Sequence, residues 1–377
     1  MREKIRVCHF TSVHSRYDIR IFIKQCKSLE LNGYDVYLVV ADGLGNETIS
    51  NVNIIDVGKI KGRLKRILYS SYKVYKKAKS IKANIYHFHD PELMLYGLIL
   101  KSKKRKIVYD IHEDLAKQLE IKPWLSKFLK PITIWLFKGL EGFIAKKMDG
   151  LVVPQPYMKS KYLEYNNNTV LVENFVILDD KDHNNKVDYS SRIAFHAGAL
   201  TIERGLMNMI EVYLKLEKSD KLILAGNINP KVLSDINNFK DYENIEYLGL
   251  ITFDEVNRYY QKSSIGLILY NNVGQYYLSY AIKLFEYMLK GIPVIMPDFG
   301  EWIDFNKEND CGINVNPNNH KQVAEAIKYL NDNPEEKARL GDNGRRAVLE
   351  KYNWNLAQER LINLYQLFNK FFICKQK

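Results

Sequence analysis

The chain has 377 residues, 46% of them hydrophobic and 27% charged, a balance that excludes a disordered or fibrous protein and a length that suits two domains. No run of about 18 apolar residues occurs, which excludes a membrane-spanning helix, and the opening MREKIRVCHF lacks the apolar stretch and cleavage site of a signal peptide. The net charge of +12 is one-sided: residues 1–180 hold 31 Lys and Arg against 19 Asp and Glu, whereas residues 181–377 hold 25 of each. The excess is concentrated in residues 59–147, and a basic half suits nucleic acid, an anionic membrane or a phosphorylated substrate.

In chain order, residues 5–10 read as a short strand, 11–20 as a polar loop and 21–31 as a helix stopped by Asn32 and Gly33. Residues 34–41 (YDVYLVVA) are nearly continuous in apolar character, as in a strand buried on both faces. Further strands are predicted over 54–57, 85–88, 107–110 and 150–153, with helical stretches between most of them. After a polar linker at 178–191 the rhythm restarts, with strands over 193–196, 221–225, 245–248, 265–269 and 293–296. Helices begin near Gly205, Asn229, Phe253 and Ala281, and a last one covers 355–367. Strands alternating with helices predict βαβ units and parallel sheets. The fold class is therefore α/β, with two doubly wound Rossmann-like domains at 1–180 and 181–354. Residues 355–377 are expected to form a helix and tail that pack back towards the first domain. Ligands in such sheets bind beyond the carboxyl ends of the strands, so a cleft between the domains is the expected site.

Several chemistries are missing from the sequence. There is no GxxxxGK[ST] loop, no GxGxxG after the first strand, and no HExxH or CxxC pair, which argues against P-loop, ordinary NAD and dedicated zinc enzymes. Cys8, Cys26, Cys311 and Cys374 are far apart and read as reduced thiols of a cytosolic protein. An acidic triplet, Asp180-Lys181-Asp182, falls in the polar linker and reads as a solvated loop rather than a metal–nucleotide site. The strongest constellation is YAIKLFEYMLKGIPVI at 280–295. It places Lys283 and Glu286 on one helix face, with Gly291 ending the helix and Pro293 opening a buried strand. A lysine near phosphate and a glutamate accepting from a ribose diol explain that pairing; a surface ion pair is the alternative.

This segment resembles the donor-binding signature of family 4 glycosyltransferases, which often reads P-x-K-L-F-E-Y-M-A-x-G-x-P-V-I. His196-Ala-Gly198-Ala-Leu-Thr-Ile-Glu-Arg204-Gly205 resembles the family's first C-domain strand and turn. Segments 221–226 and 245–250 resemble its next two strands. VENFV at 172–176, Asp110-Ile-His112-Glu113-Asp114 and Tyr86-His-Phe-His89-Asp90 resemble its N-domain segments. The resemblance runs from the first strand to about Trp354. Departures are Leu278 where relatives carry a further glutamate, Tyr280 in place of a proline, and Ala199 in place of an arginine.

The resemblance implies the GT-B fold and a retaining glycosyltransferase. Its donor would be a nucleotide diphosphate sugar, most commonly UDP-linked, with no cofactor and no essential metal. By the same resemblance His112, Arg204, Lys283 and Glu286 carry the chemistry, while Gly198, Arg204, Gly205, Lys283, Leu284 and Glu286 hold the donor. Arg16, Asp18, Arg20 and His89 are the acceptor-side candidates, a helix-capping loop being the alternative for the first three. The expected acceptor is a polyprenyl-diphosphate-linked glycan of capsule, O-antigen or exopolysaccharide assembly, met on the cytoplasmic face of the cell membrane. The alternatives are a GT-B enzyme or epimerase acting on a soluble small molecule, and a basic nucleic-acid-binding protein using residues 59–82; nucleic acid is not the expected partner. Residues 117–147 mix Trp124, Phe128, Trp135, Phe137 and Phe143 with lysines. With Pro123 and Pro131 breaking it into short helices, this stretch is expected to lie on an anionic membrane surface; an ordinary helix packed on the sheet is the alternative.

Overall fold

The structure, a computed structural model, describes residues 4–120, 126, 128–179, 187–235 and 242–374. It divides into two units, Met1–Asn174 with Trp354–Lys377, and Phe175–Asn353. The Asp180–Asp182 triplet, Trp124 and Pro123 lie outside the described residues.

The first unit is built on eight strands: β1 (Arg6–Phe10), β2 (Asp35–Val40), β3 (Glu47–Ile49), β4 (Val52–Asp56), β5 (Ile85–Phe88), β6 (Lys106–Asp110), β7 (Gly150–Val153) and β8 (Thr169–Leu171). Their order is β3-β4-β2-β1-β5-β6-β7-β8, parallel except for β3 against β4. The chain winds outward from β1 in both directions, so the switch point lies between β1 and β5, where His9 pairs with His87. Val7, Phe10, Val36, Leu38, Ile85, Phe88, Val108 and Leu151 are all buried, which is why these strands read as apolar runs rather than alternating ones. After β1, the helical segment Ile19–Cys26 is wound partly with i→i+5 hydrogen bonds, a geometry often found at functional sites.

The last helix, Trp354–Cys374, belongs to this first unit. Trp354 Nε1 donates to Ser28 Oγ at 2.9 Å and Asn369 Nδ2 to the Tyr34 hydroxyl at 2.7 Å. The Tyr365 hydroxyl pairs with His87 Nδ1 at 2.8 Å. Leu364 and Phe368 close over Gly150 at the start of β7.

The second unit carries β9 (Ile193–Ala197), β10 (Lys221–Ala225), β11 (Ile245–Tyr247), β12 (Ile265–Leu267), β13 (Val294–Pro297) and β14 (Gly312–Val315). They form one parallel sheet in the order β11-β10-β9-β12-β13-β14, with its switch point between β9 and β12. The helices that follow β9, β10 and β11 and precede β13 are Leu206–Tyr213, Pro230–Asp235, Phe253–Lys262 and Ile282–Leu289.

Candidate functional site

In the second unit the carboxyl ends of β9 and β12 gather a cluster of basic side chains. Lys283, one residue into the helix Ile282–Leu289, is buried, and its Nζ lies 2.6 Å from His196 Nε2. His196 Nδ1 donates to the Leu267 carbonyl at 2.8 Å, so Nε2 is the acceptor that receives the lysine N–H. Gly198 follows β9 at φ +129°, and a Cβ there would sit 3.3 Å from Lys283 Nζ; glycine keeps the space beside Nζ open. Gly205 has φ +79° and precedes the helix Leu206–Tyr213, and a Cβ there would meet the Leu269 carbonyl oxygen at 1.9 Å. That close approach sets the turn carrying half-buried Arg204, whose Nε lies 3.4 Å from the Tyr276 hydroxyl. Glu286 is half-buried one turn after Lys283, and its Oε2 accepts from the fully buried Tyr260 hydroxyl at 2.8 Å. Lys283 and Glu286 are therefore not an exposed ion pair; each is held by a different buried partner. Leu284, expected among the donor contacts, is 0% exposed, and its side chain packs in the core.

In the first unit the carboxyl ends of β1, β5 and β6 carry five of the eight histidines around Asp110. Asp110 is fully buried and accepts from Arg20 Nη2 at 2.7 Å, Arg20 Nε at 3.0 Å and Gln25 Nε2 at 2.7 Å. His89 Nδ1 and His112 Nε2 each lie 3.2 Å from Asp110 Oδ2. Behind them, His89 Nε2 meets His9 Nδ1 at 3.0 Å. Burial disfavours the Asp110 carboxylate, but Arg20 and then His112 outweigh it and hold the group well below the usual carboxylate range. Burial pulls His89 down to about 3, so it is a neutral imidazole. His112 and His14 are the partly exposed members, their rings 4.7 Å apart; the polar contacts of His112 with Asp110 and His89 both use Nε2, which leaves Nδ1 outside those hydrogen bonds.

Of the four acceptor-side candidates, Asp18, Arg20 and His89 join this cluster and Arg16 does not. Arg16 is buried and occupied by Asp42, Glu47 and the Gly45 carbonyl, so it fastens its own loop to the one after β2. Arg20 is occupied by Asp110 and the Val172 carbonyl. His89 is fully buried. Asp18 caps the helical segment, its Oδ1 accepting from the N–H groups of Arg20 and Ile21 at 2.9 Å, while Oδ2 lies 3.2 Å from His14 Nδ1.

Burial pushes the Asp18 carboxyl up, but the His14 hydrogen bond and the Ile21 N–H outweigh it and bring the pKa down to about 2 from 3.8. Its folded value is the lower one, so its stabilisation is complete above pH 3.8 and is lost as pH falls through about 2. We expect roughly 1–2 kcal/mol of stability to disappear in that window. Acid unfolding of the wild type and of Asp18→Asn checks it; identical acid limbs would refute the assignment.

The partners His196 and Tyr260, and the shared acceptor Asp110, have no role assigned from sequence. A polar signal was present for two of them: His196 interrupts the apolar strand IAFHA, and Asp110 ends KIVYD. Tyr260 lies 26 residues before Glu286, a separation no local pattern reveals. Among the described residues two groups have the composition of a cation site, His9 with His87 and His89, and His89 with Asp110 and His112. The second already has Asp110 Oδ2 taken by Arg20 and Gln25, with the guanidinium charge beside it. That charge opposes a cation and favours a hydrogen-bonded network. The first is fully buried and holds no carboxylate to offset a divalent charge.

Residues 20–180 match the family model described as Glycosyltransferase Family 4, and residues 209–363 match the model described as Glycosyl transferase-like. No curated protein sequence matches at a significant level. Among solved structures, sucrose-phosphate synthase from Thermosynechococcus elongatus is similar at 16% identity and TM-score 0.75, over 97% of this chain and 100% of that one. HepE from Anabaena, in complex with UDP and glucose, is similar at 11% identity and TM-score 0.71, over 96% and 99%. The trehalose-6-phosphate structure from E. coli, bound with UDP-2-fluoro glucose, is similar at 11% identity and TM-score 0.70, over 96% and 99%. At such identities the solved structures speak for the fold, and the two family models together span most of the sequence. With two parallel-sheet Rossmann-like domains, the chain is a glycosyltransferase of the GT-B fold, family 4 in its N-terminal part and glycosyl transferase-like in its C-terminal part.

Proposed function

We propose that the protein transfers a sugar from a UDP-linked donor to a lipid-linked glycan, with retention of anomeric configuration and without an essential metal, in bacterial surface-polysaccharide assembly. The observation that carries the donor half is the gathering of Lys283, Arg204 and Glu286 beside open Gly198 at the sheet's switch point, where α/β sheets bind ligands. HepE, in complex with UDP and glucose, and the E. coli structure, bound with UDP-2-fluoro glucose, share this fold. In the reaction the anomeric C–O bond to the diphosphate breaks and a bond to the acceptor oxygen forms on the same face. The acceptor proton passes to the departing phosphate oxygen. Arg204 and Lys283 meet the growing phosphate charge, which is where fixed cations accelerate most. Glu286, fixed by Tyr260, accepts from the ribose hydroxyls. His112, with Nε2 turned to Asp110, offers Nδ1 to a hydroxyl of the transferred sugar.

The membrane half rests on the helix Leu129–Lys147. Its inner face buries Glu141, Gly142, Ile144 and Ala145, while Leu129, Ile132, Trp135, Leu136, Leu140 and Phe143 form an exposed stripe. Phe128 is 89% and Trp135 72% exposed, and Lys130, Lys138, Lys146 and Lys147 share the helix. Pro131 does not break this helix, because it stands in the first turn, where the missing N–H is tolerated. No helix among the described residues is long and apolar enough to cross a membrane, so the stripe suits the headgroup boundary. Sedimentation with anionic liposomes tests it. Binding should occur at low salt, weaken at high salt and drop when Phe128 and Trp135 become serine. No binding, together with full transfer to a water-soluble acceptor, would favour a soluble acceptor.

A further inference from the structure

Lys283 is an unusual group to bury. Its Nζ has His196 Nε2 as its hydrogen-bond acceptor and the Tyr270 ring at 5.8 Å, and no carboxylate is within ion-pair distance among the described residues. The charged and titratable groups facing it are His196 from β9, Arg204 from the turn after β9, Tyr270 beyond β12, and Glu286 on its own helix. His196 cannot turn to share a different proton, because Nδ1–H is fixed on the Leu267 carbonyl. The contact between Nζ and Nε2 therefore forms whether Nζ is an amine or an ammonium: one N–H donates in either state. The pair can gain or lose a proton without rearrangement, and Gly198 leaves the open side of Nζ free for an anion.

We propose that the Lys283–His196 pair takes up a proton when the donor diphosphate binds, with His196 as the positioning residue that holds Nζ toward the phosphates. The inference rests on the donor-site reading above. Burial first, and Arg204 second, pull the Lys283 ammonium well below its ordinary range, Glu286 pulling the other way. Burial and then Lys283 do the same to His196. A diphosphate laid against Nζ reverses the balance, because an adjacent negative charge favours the ammonium. The incoming proton ends on Nζ, which then pairs with a phosphate oxygen while still donating to His196. Donor affinity accordingly falls as pH rises through the range in which free Lys283 is an amine.

The test is calorimetric titration with UDP-glucose, GDP-mannose and UDP in buffers of different ionisation enthalpy at one mildly alkaline pH. The diphosphate diester of a nucleotide sugar does not titrate there, so any proton taken up belongs to the protein. A sizeable fraction of one proton should be taken up per nucleotide sugar bound. Lys283→Arg should still bind the nucleotide sugar but take up none, since guanidinium does not deprotonate in proteins. His196→Leu should shift the pH midpoint of uptake downward, which a merely structural residue would not do. Binding without uptake in the wild type, or uptake unchanged in Lys283→Arg, overturns the proton linkage; an unmoved midpoint in His196→Leu overturns the role of His196. If none of the three nucleotides binds, the donor-site reading itself fails and the inference falls with it. The wild-type titration decides the linkage even if a variant does not fold.

Discussion

Lys283→Met is expected to lower turnover about 100-fold or more while leaving the second unit folded. The methionine chain replaces most of the buried lysine stem, so packing beside Tyr270 is kept and only the charge and its hydrogen bond to His196 go. The loss should appear in kcat more than in KM, because the phosphate charge that Lys283 meets grows as the leaving group departs. Glu286→Ala should show the opposite split, with weaker donor binding, since a ribose contact is made equally before and during the reaction. Steady-state kinetics on the purified enzyme separates the two. Wild-type kcat in Lys283→Met would remove the lysine from the chemistry.

The largest stability effect is expected at the carboxyl end of β6, one strand from the first unit's switch point. Asp110→Ala strips the acceptor from Arg20, Gln25, His89 and His112 at a position with no exposure. It leaves the Arg20 guanidinium buried with, among the described residues, the Val172 carbonyl at 2.8 Å as its remaining acceptor. Breaking one side of a buried pair costs about 3–5 kcal/mol, whereas replacing both by apolar residues of similar size costs far less. Urea unfolding of Asp110→Ala and of the double variant Arg20→Met with Asp110→Leu measures both. A loss below about 1 kcal/mol in the single variant would mean that water reaches the site and replaces the carboxylate.

Most of the sheet architecture was legible because buried parallel strands are long apolar runs: YDVYLVV and KLILA declare themselves. The strands Glu47–Ile49, Thr169–Leu171 and Gly312–Val315 did not, being three or four residues long and partly exposed. Of the site, Lys283 and Glu286 could be read because a helix puts them on one face. Their partners could not, since His196 lies 87 and Tyr260 26 residues away. Asp18 is taken up locally, by His14 and the N–H groups of Arg20 and Ile21, but Arg16 and Arg20 looked like binding residues for a physical reason: charged side chains at the end of a first strand are exposed unless something distant takes them up. Asp42, Glu47 and Asp110 do that, and only the folded sheet brings them near.

The return of the helix Trp354–Cys374 to the first unit has a consequence for the protein's birth on the ribosome. The second unit is one unbroken length of chain, while the first is assembled from two lengths separated by all of the second. During synthesis Phe175–Asn353 can close its sheet as soon as it emerges. The β1–β8 sheet waits for Trp354, Tyr365 and Asn369, which supply the hydrogen bonds to Ser28, His87 and Tyr34. Nascent domains ordinarily mature in order from the N-terminus; in this chain the first part made is the last to be completed. A chain that stops before Trp354 would carry a finished second unit attached to an unfinished first one.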